Sequence, residues 1–207
     1  MDHLSFDKTA NSPRILVAPL DWGLGHATRC IPIIKELINQ NCDVWLAGEG
    51  AQAALLQKEF PGLSFLNLPG YRISYNKSSM KLFLGILLQV PKILRAISKE
   101  NKWLKKMMTK YTFDAIISDN RYGLYHKKIF TAFITHQLLI KTSLGKLSEK
   151  ILQQWNYKFI NRFTQCWVPD EEGSINLAGE LSHPKKNPAI PLKYIGAISR
   201  FEILQAK

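Results

Sequence analysis

Arg14-Ile15-Leu16-Val17-Ala18-Pro19-Leu20-Asp21-Trp22-Gly23-Leu24-Gly25-His26-Ala27-Thr28-Arg29 is the stretch on which the fold turns. An apolar run gives way to Asp21 and two glycines, and a helical pattern opens at Ala27. A short aliphatic run bounded by turn residues is the pattern of a strand buried on both faces, and the 3.6-residue period after it supplies a crossover helix. The stretch reads as the start of a βαβ unit. Ligands of open parallel sheets bind outside the carboxyl ends of the strands, where free N–H groups of a helix N-terminus favour anions. Gly23 and Gly25 let a ligand approach the backbone there. His26 and Arg29 put polar and cationic groups in the first turn, where the helix dipole disfavours positive charge and an anionic ligand relieves the conflict. The bland alternative is a tight turn with His26 packed locally. The loop is not a Walker loop, because Gly-Lys-Ser/Thr is missing, and Thr28 stands where the dinucleotide fingerprint needs a third small residue. Glu49, at the end of the second strand, imitates a ribose-binding acid and keeps a nicotinamide enzyme as a minor alternative.

Working outward, Asp43-Val44-Trp45-Leu46-Ala47 reads as a second strand, followed by a helix over 51–60 that Pro61-Gly62 stops. Ser64-Phe65-Leu66-Asn67-Leu68 is a third strand, closed by Pro69-Gly70. Repeated β-α units joined by short loops predict an α/β fold with a doubly wound, mostly parallel sheet. Phe113-Asp114-Ala115-Ile116-Ile117-Ser118 and Ile129-Phe130-Thr131-Ala132-Phe133-Ile134-Thr135 are the fourth and fifth strands. Asp119, Asn120 and Arg121 follow one, His136 and Gln137 the other, so both groups fall at the crevice edge that holds the glycine loop. A helix over 147–163, a short strand over 165–169 and a last strand or linker over 192–198 complete the pattern.

The 207 residues suffice for one substantial core. Residues 1–12 read as a flexible leader and 13–200 as the domain. With 28 Lys and Arg against 16 Asp and Glu, the net charge of +12 implies an anionic partner. Nine of those cations lie between residues 77 and 110, against Glu100 alone, on a helical stretch whose apolar residues recur every three or four positions. Residues 82–88 are too few to span a bilayer, which takes roughly 20 apolar residues. Such a stretch can lie on an anionic leaflet, with Phe83, Leu84 and Leu87 inserted and Lys92 and Arg95 at the headgroups. It can equally pack its apolar stripe on the sheet and leave the lysines to solvent. No nucleic-acid motif accompanies the charge, so nucleic acid is not an expected partner. Cys30, Cys42 and Cys166 lack metal-ligand spacing and read as reduced thiols, with no metal site.

The segment Ile15–Ile33, together with Ile117-Ser118-Asp119-Asn120-Arg121-Tyr122-Gly123, Phe133-Ile134-Thr135-His136-Gln137, Cys166-Trp167-Val168-Pro169-Asp170 and Tyr194-Ile195-Gly196-Ala197-Ile198-Ser199-Arg200-Phe201, resembles the N-terminal half of bacterial GT-B glycosyltransferases of the MurG-like group, related to glycosyltransferase family 28. The resemblance implies a Rossmann-like acceptor-binding domain, with an interdomain linker starting at 201–207 and the donor-binding domain absent. It implies sugar transfer from a nucleotide sugar, UDP-linked, to a lipid-linked or other cell-envelope acceptor, with no further cofactor. His26 or Asp119 is then the base, and Asp119 or His136 orients the hydroxyl or His26. Gly23, Leu24, Gly25, Arg29, Asn120, Arg121, His136 and Gln137 are the substrate-binding candidates. The expected location is cytoplasmic, peripheral on the inner face of the membrane. Two alternatives remain: an acceptor-binding, membrane-anchoring subunit that needs a separate donor-domain subunit, and an inactive fragment.

Overall fold

Residues 12–71, 79–142, 145–173 and 175–198 are described by a computed structural model, with side chains from Val90 onward in the helix that begins at Ser79. The strands are β1 (Arg14–Pro19), β2 (Asp43–Gly48), β3 (Ser64–Asn67), β4 (Ala115–Asp119), β5 (Phe130–Ile134), β6 (Gln165–Val168) and β7 (Leu192–Tyr194). The helices are α1 (Leu24–Asn39), α2 (Gly50–Glu59), α3 (Ser79–Met108) and α4 (Lys146–Ile160). One sheet contains all seven strands in the order β3-β2-β1-β4-β5-β6-β7, and every pairing is parallel. The chain is a Rossmann-like α/β domain.

The alternation along β1 explains why the sheet is wound on both sides. Ile15 and Val17 join Ala27, Cys30, Ile31 and Ile34 of α1 and Leu56 of α2 in one apolar cluster. Leu16 and Ala18 point the other way and join Leu104 of α3 with Phe113, Ile116 and Leu124. Each large aliphatic side chain buried this way contributes about 1.5–3 kcal/mol, so both faces need a helical layer. On the second face α4 covers the β5–β6 end, where Tyr157 and Ile160 pack with Phe133, Cys166 and Val168. Ile97 of α3 and Phe159 of α4 meet around Tyr122 and Leu20.

Element boundaries differ from the sequence reading where tertiary contacts override the local pattern. The first helix begins at Leu24 rather than Ala27, so Gly25 and His26 lie inside its first turn. The fourth strand starts at Ala115, while Phe113 meets Trp45 edge-on at 5.8 Å in the second cluster. The helix expected to reach residue 163 ends at Ile160, and Phe163 packs on Phe133 at 4.9 Å. Pro91 falls inside one continuous helix, α3. The expected leader up to residue 11, the linker start at 201–207 and the side chains of Phe83, Leu84 and Leu87 lie outside the described residues. Among the described residues, no helix is long and apolar enough to cross a membrane.

Winding reverses between β1 and β4, one leading outward through β2 and β3, the other through β5, β6 and β7. The carboxyl ends of these two strands frame the crevice of an open sheet. Pro19 and Asp119 stand opposite each other there.

Candidate active site

Asp119 closes β4 and is completely buried. His26 Nδ1 lies 3.0 Å from its Oδ2. Arg29 donates from Nη2 to Oδ1 at 2.5 Å and from Nε to Oδ2 at 3.3 Å, and Asn120 Nδ2 donates to Oδ1 at 3.3 Å. Cys30 contributes a weak thiol contact at 3.9 Å. The thiol itself is pushed well up by burial, then by the Asp119 charge, so it stays protonated. Charge-assisted bonds of this kind fix a carboxylate as an acceptor. Asp119 has no open face for a substrate, whereas the His26 side chain keeps 17% of its surface.

Local sequence explains the placement. Asn120 adopts a left-handed conformation with φ 56°, which Asn tolerates better than most residues. Its N–H donates to Ile134 O at 3.1 Å, which anchors the turn directly after Asp119 to β5. Gly23, at φ 74°, precedes α1, and no side chain caps that helix or places an acid in its first turn. The loop before it is held from two sides. Gln52 Nε2 donates to Gly23 O at 3.3 Å and to Leu20 O at 3.4 Å, while Tyr71 N–H donates to Asp21 Oδ1 at 3.0 Å. A recess of about 260 Å³ beside it is lined by Asp21, Gly23, Leu24, Glu49 and Gln52. Glu49, the acid that imitated a ribose binder, accepts the Gly70 N–H at 2.8 Å and so ties the loop after β3 to the N-terminus of α2.

His136 follows β5, and its Nδ1 lies 3.1 Å from Arg29 Nη1. Burial lowers its pKa, and the Arg29 charge lowers it further. His26, Arg29, Asp119, Asn120 and His136 thus form one connected group. Gln137, exposed beside it, receives a bond from Asn156 Nδ2 on its carbonyl at 2.9 Å. Leu24 is 49% exposed at the rim. Among the described residues no group of three or more His, Cys, Asp or Glu is arranged to hold a metal ion.

Arg121 is in a different place from the one expected. It is fully buried, with Nε donating to Glu100 Oε1 at 2.6 Å, Nη1 to Pro19 O at 3.1 Å and Nη2 to Pro69 O at 2.6 Å. It ties the ends of β1 and β3 to α3 and offers no donor to a ligand at the crevice. Asp119, two residues earlier and still in β4, points to α1, and the left-handed turn at Asn120 sends Arg121 the other way.

One constellation had no clear signal in the sequence. Asp170, after β6, accepts from Ser182 Oγ at 2.6 Å and from the N–H groups of Glu171, Leu177 and Ala178 at 2.8–3.0 Å. Burial works to raise this carboxyl, but the Ser182 hydroxyl and the three backbone donors outweigh it and hold the pKa at about 2. The network braces the loop that leads to β7.

The basic side of the molecule is grooved. Exposed Lys92 and Arg95 line a cavity of about 580 Å³ with Lys99, Tyr71, Pro69 and Trp103. A second groove of about 400 Å³ runs between α3 and α4, with Leu94, Trp155, Lys102, Lys158 and Arg162 in its walls. Trp155 is 46% exposed, and Arg162 lies over the Phe159 ring at 4.7 Å.

With this geometry in hand, solved structures supply the comparison. The domain has the fold of one half of a GT-B glycosyltransferase. UGT2 from Phytolacca americana, complexed with UDP-2fluoro-glucose and pterostilbene, superposes with a TM-score of 0.58 at 14% identity, covering 90% of this chain and 54% of that one. The glycotransferase of kitacinnamycin gives 0.58 at 12%, covering 95% and 54%. MurG from Acinetobacter baumannii gives 0.50 at 11%, covering 95% and 47%. The likeness is to the architecture, then, and not to MurG in particular. The chain spans about half the length of these structures. No family model and no curated protein sequence matches it.

Proposed function

We propose that this chain is the acceptor-binding half of a glycosyltransferase that moves a sugar from a nucleotide donor, UDP-linked, to a hydroxyl of a lipid-linked or other cell-envelope acceptor. The observation that carries the proposal is the His26–Asp119 pair at the switch point between β1 and β4, within a fold shared with glycosyltransferases. His26 takes the hydroxyl proton on Nε2 as the acceptor oxygen bonds to the sugar and the bond to the diphosphate breaks. Nδ1 faces both Asp119 at 3.0 Å and Arg29 Nη2 at 2.9 Å, contacts that ask for opposite protonation of one atom. The carboxylate has no proton to give and already neutralises Arg29, so Nδ1 carries the hydrogen and Nε2 keeps its lone pair. Asp119 then stabilises the imidazolium that forms. Gly23, Leu24 and Gly25 present backbone to the substrate, and the donor-binding half stabilises the departing diphosphate.

The grooves along α3 support an anionic partner surface. Lys92, Arg95 and Lys99 around one groove, and Lys102, Lys158 and Arg162 around the other, suit the inner face of a cytoplasmic membrane, where a lipid-linked acceptor would be met. Those cations suit a second reading as well, an acceptor-binding, membrane-anchoring subunit that is silent until a donor-binding subunit joins it. A panel of nucleotide sugars, offered with an envelope lipid extract to the chain alone and to the chain with a donor-binding half, tests both. Transfer in either arrangement supports the proposal, and silence in both rejects it.

A further inference from the structure

Arg29 is placed as though to bind substrate, yet its guanidinium is spent inside the protein. One edge meets Asp119 through Nη2 and Nε, and Nη1 reaches His136 Nδ1 at 3.1 Å. An arginine has only donors, and among the described residues no carboxylate bonds His136 Nδ1 as Asp119 bonds that of His26, so the contact is made by a lone pair on His136 Nδ1. A neutral imidazole with that lone pair has its proton on Nε2. His136 sits two residues beyond the end of β5, partly exposed at the crevice edge, and its Nε2 makes no bond to protein among the described residues.

We infer that Arg29 is a positioning residue that fixes His136 as a neutral ring with its proton on Nε2, ready to donate a hydrogen bond to an oxygen of the bound substrate. The consequence for the site is a complementary pair. His26 offers a lone pair at Nε2 and His136 an N–H, with Arg29 between the two rings. Such a pair suits a hydroxyl that must lose its proton next to a second oxygen that only accepts.

The surrounding charges support a neutral His136. Burial and Arg29 push its pKa down, and His26 works in the same direction. Asp119 at the end of β4 and Asp170 after β6 push the other way and do not prevail. A doubly protonated His136 would set two cations against one another at 3.1 Å, with Asp119 already bonded to Arg29. The naming of the substrate oxygen rests on the transferase reading; the protonation state of His136 does not.

Two measurements test the inference. In the full chain labelled with 15N-histidine, with the His136 signals assigned by their loss in His136→Gln, Nε2 should be protonated and Nδ1 unprotonated near pH 7. Arg29→Met should raise the pH at which His136 titrates, and Arg29→Lys should restore part of the shift. A proton on Nδ1 of His136 in the unaltered chain overturns the inference whether or not Arg29→Met folds. In the complete enzyme His136→Leu should lower kcat/KM at least tenfold, and His136→Gln, which returns an N–H near the Nε2 position, should recover most of it. A raised KM for the acceptor assigns the oxygen to the acceptor, a raised KM for the nucleotide sugar assigns it to the donor, and unchanged kinetics overturn the donor role. Histidine spectra as expected in a chain that transfers no sugar from any nucleotide donor would leave the Arg29–His136 relationship standing and remove the transferase reading.

Discussion

Arg121 on the turn after β4 and Glu100 on α3 meet at 2.6 Å with their side chains 0% and 3% exposed. The same carboxylate accepts from Tyr71 Oη at 2.6 Å and from Gly123 N–H at 2.9 Å, so one buried ion pair binds three chain segments under the crevice. Removing one partner of a buried pair leaves an uncompensated charge, which typically costs about 3–5 kcal/mol. Arg121→Met should therefore lower unfolding stability by about that amount, measured by denaturant titration. Pairing it with Glu100→Leu should recover part of the loss, because the second change removes the stranded carboxylate. A single variant as stable as the parent would contradict the structural role.

Asp170 predicts a particular acid response. Its folded pKa of about 2 lies below the ordinary 3.8, so its contribution to stability is complete above about pH 4 and is lost as the pH falls toward 2. Asp170→Asn should be less stable than the parent at pH 7. The gap in Tm between the two should narrow between pH 4 and pH 2. A gap that stays constant over that range would mean that the ionised carboxylate is not what braces the loop.

Two glycines near the crevice should behave in opposite ways. A Cβ on Gly25 meets nothing within 4 Å, and the residue sits in a helix, where Ala is preferred to Gly by roughly 0.5–1 kcal/mol. Gly25→Ala should keep or slightly raise Tm while weakening substrate binding, if backbone approach is what the glycine serves. A Cβ on Gly70 would overlap the Asp21 carboxylate. Gly70→Ala should therefore displace the glycine loop and lower both Tm and activity. Full activity in Gly25→Ala would show that its openness has no role in binding.

The sheet was legible because β1, β2, β4 and β5 are buried on both faces, which leaves short, mostly apolar runs bounded by turn residues. The His26–Asp119 relationship was legible only as two groups at one edge, since their 93-residue separation closes through the parallel register of β1 and β4. Arg121 was misplaced for a physical reason. A cation after a strand end can face the crevice or the interior, and its partner Glu100 lies 21 residues earlier on a helix whose charge pattern looked like a solvated face. Asp170 and Ser182 were missed because the bonds they make are mostly to backbone, and loop backbone has no sequence signature.

The basic grooves carry a prediction about surfaces. Reversing charge at Lys92, Arg95 and Lys99 should reduce sedimentation with anionic vesicles, each cation near the surface contributing about 1 kcal/mol. Raising salt should weaken binding of the parent in the same way. Unchanged sedimentation of the triple variant would reject the membrane-facing assignment of α3 and leave those cations to solvent.

The most direct measurement is sugar transfer by His26→Ala in the complete or reconstituted enzyme, with folding checked by circular dichroism and Tm. A general base contributes typically about 10²–10⁴-fold, so kcat should fall by at least about 100-fold while the fold is retained. Turnover within a few-fold of the parent, in a folded variant, would contradict His26 as the base and with it the central assignment of this crevice.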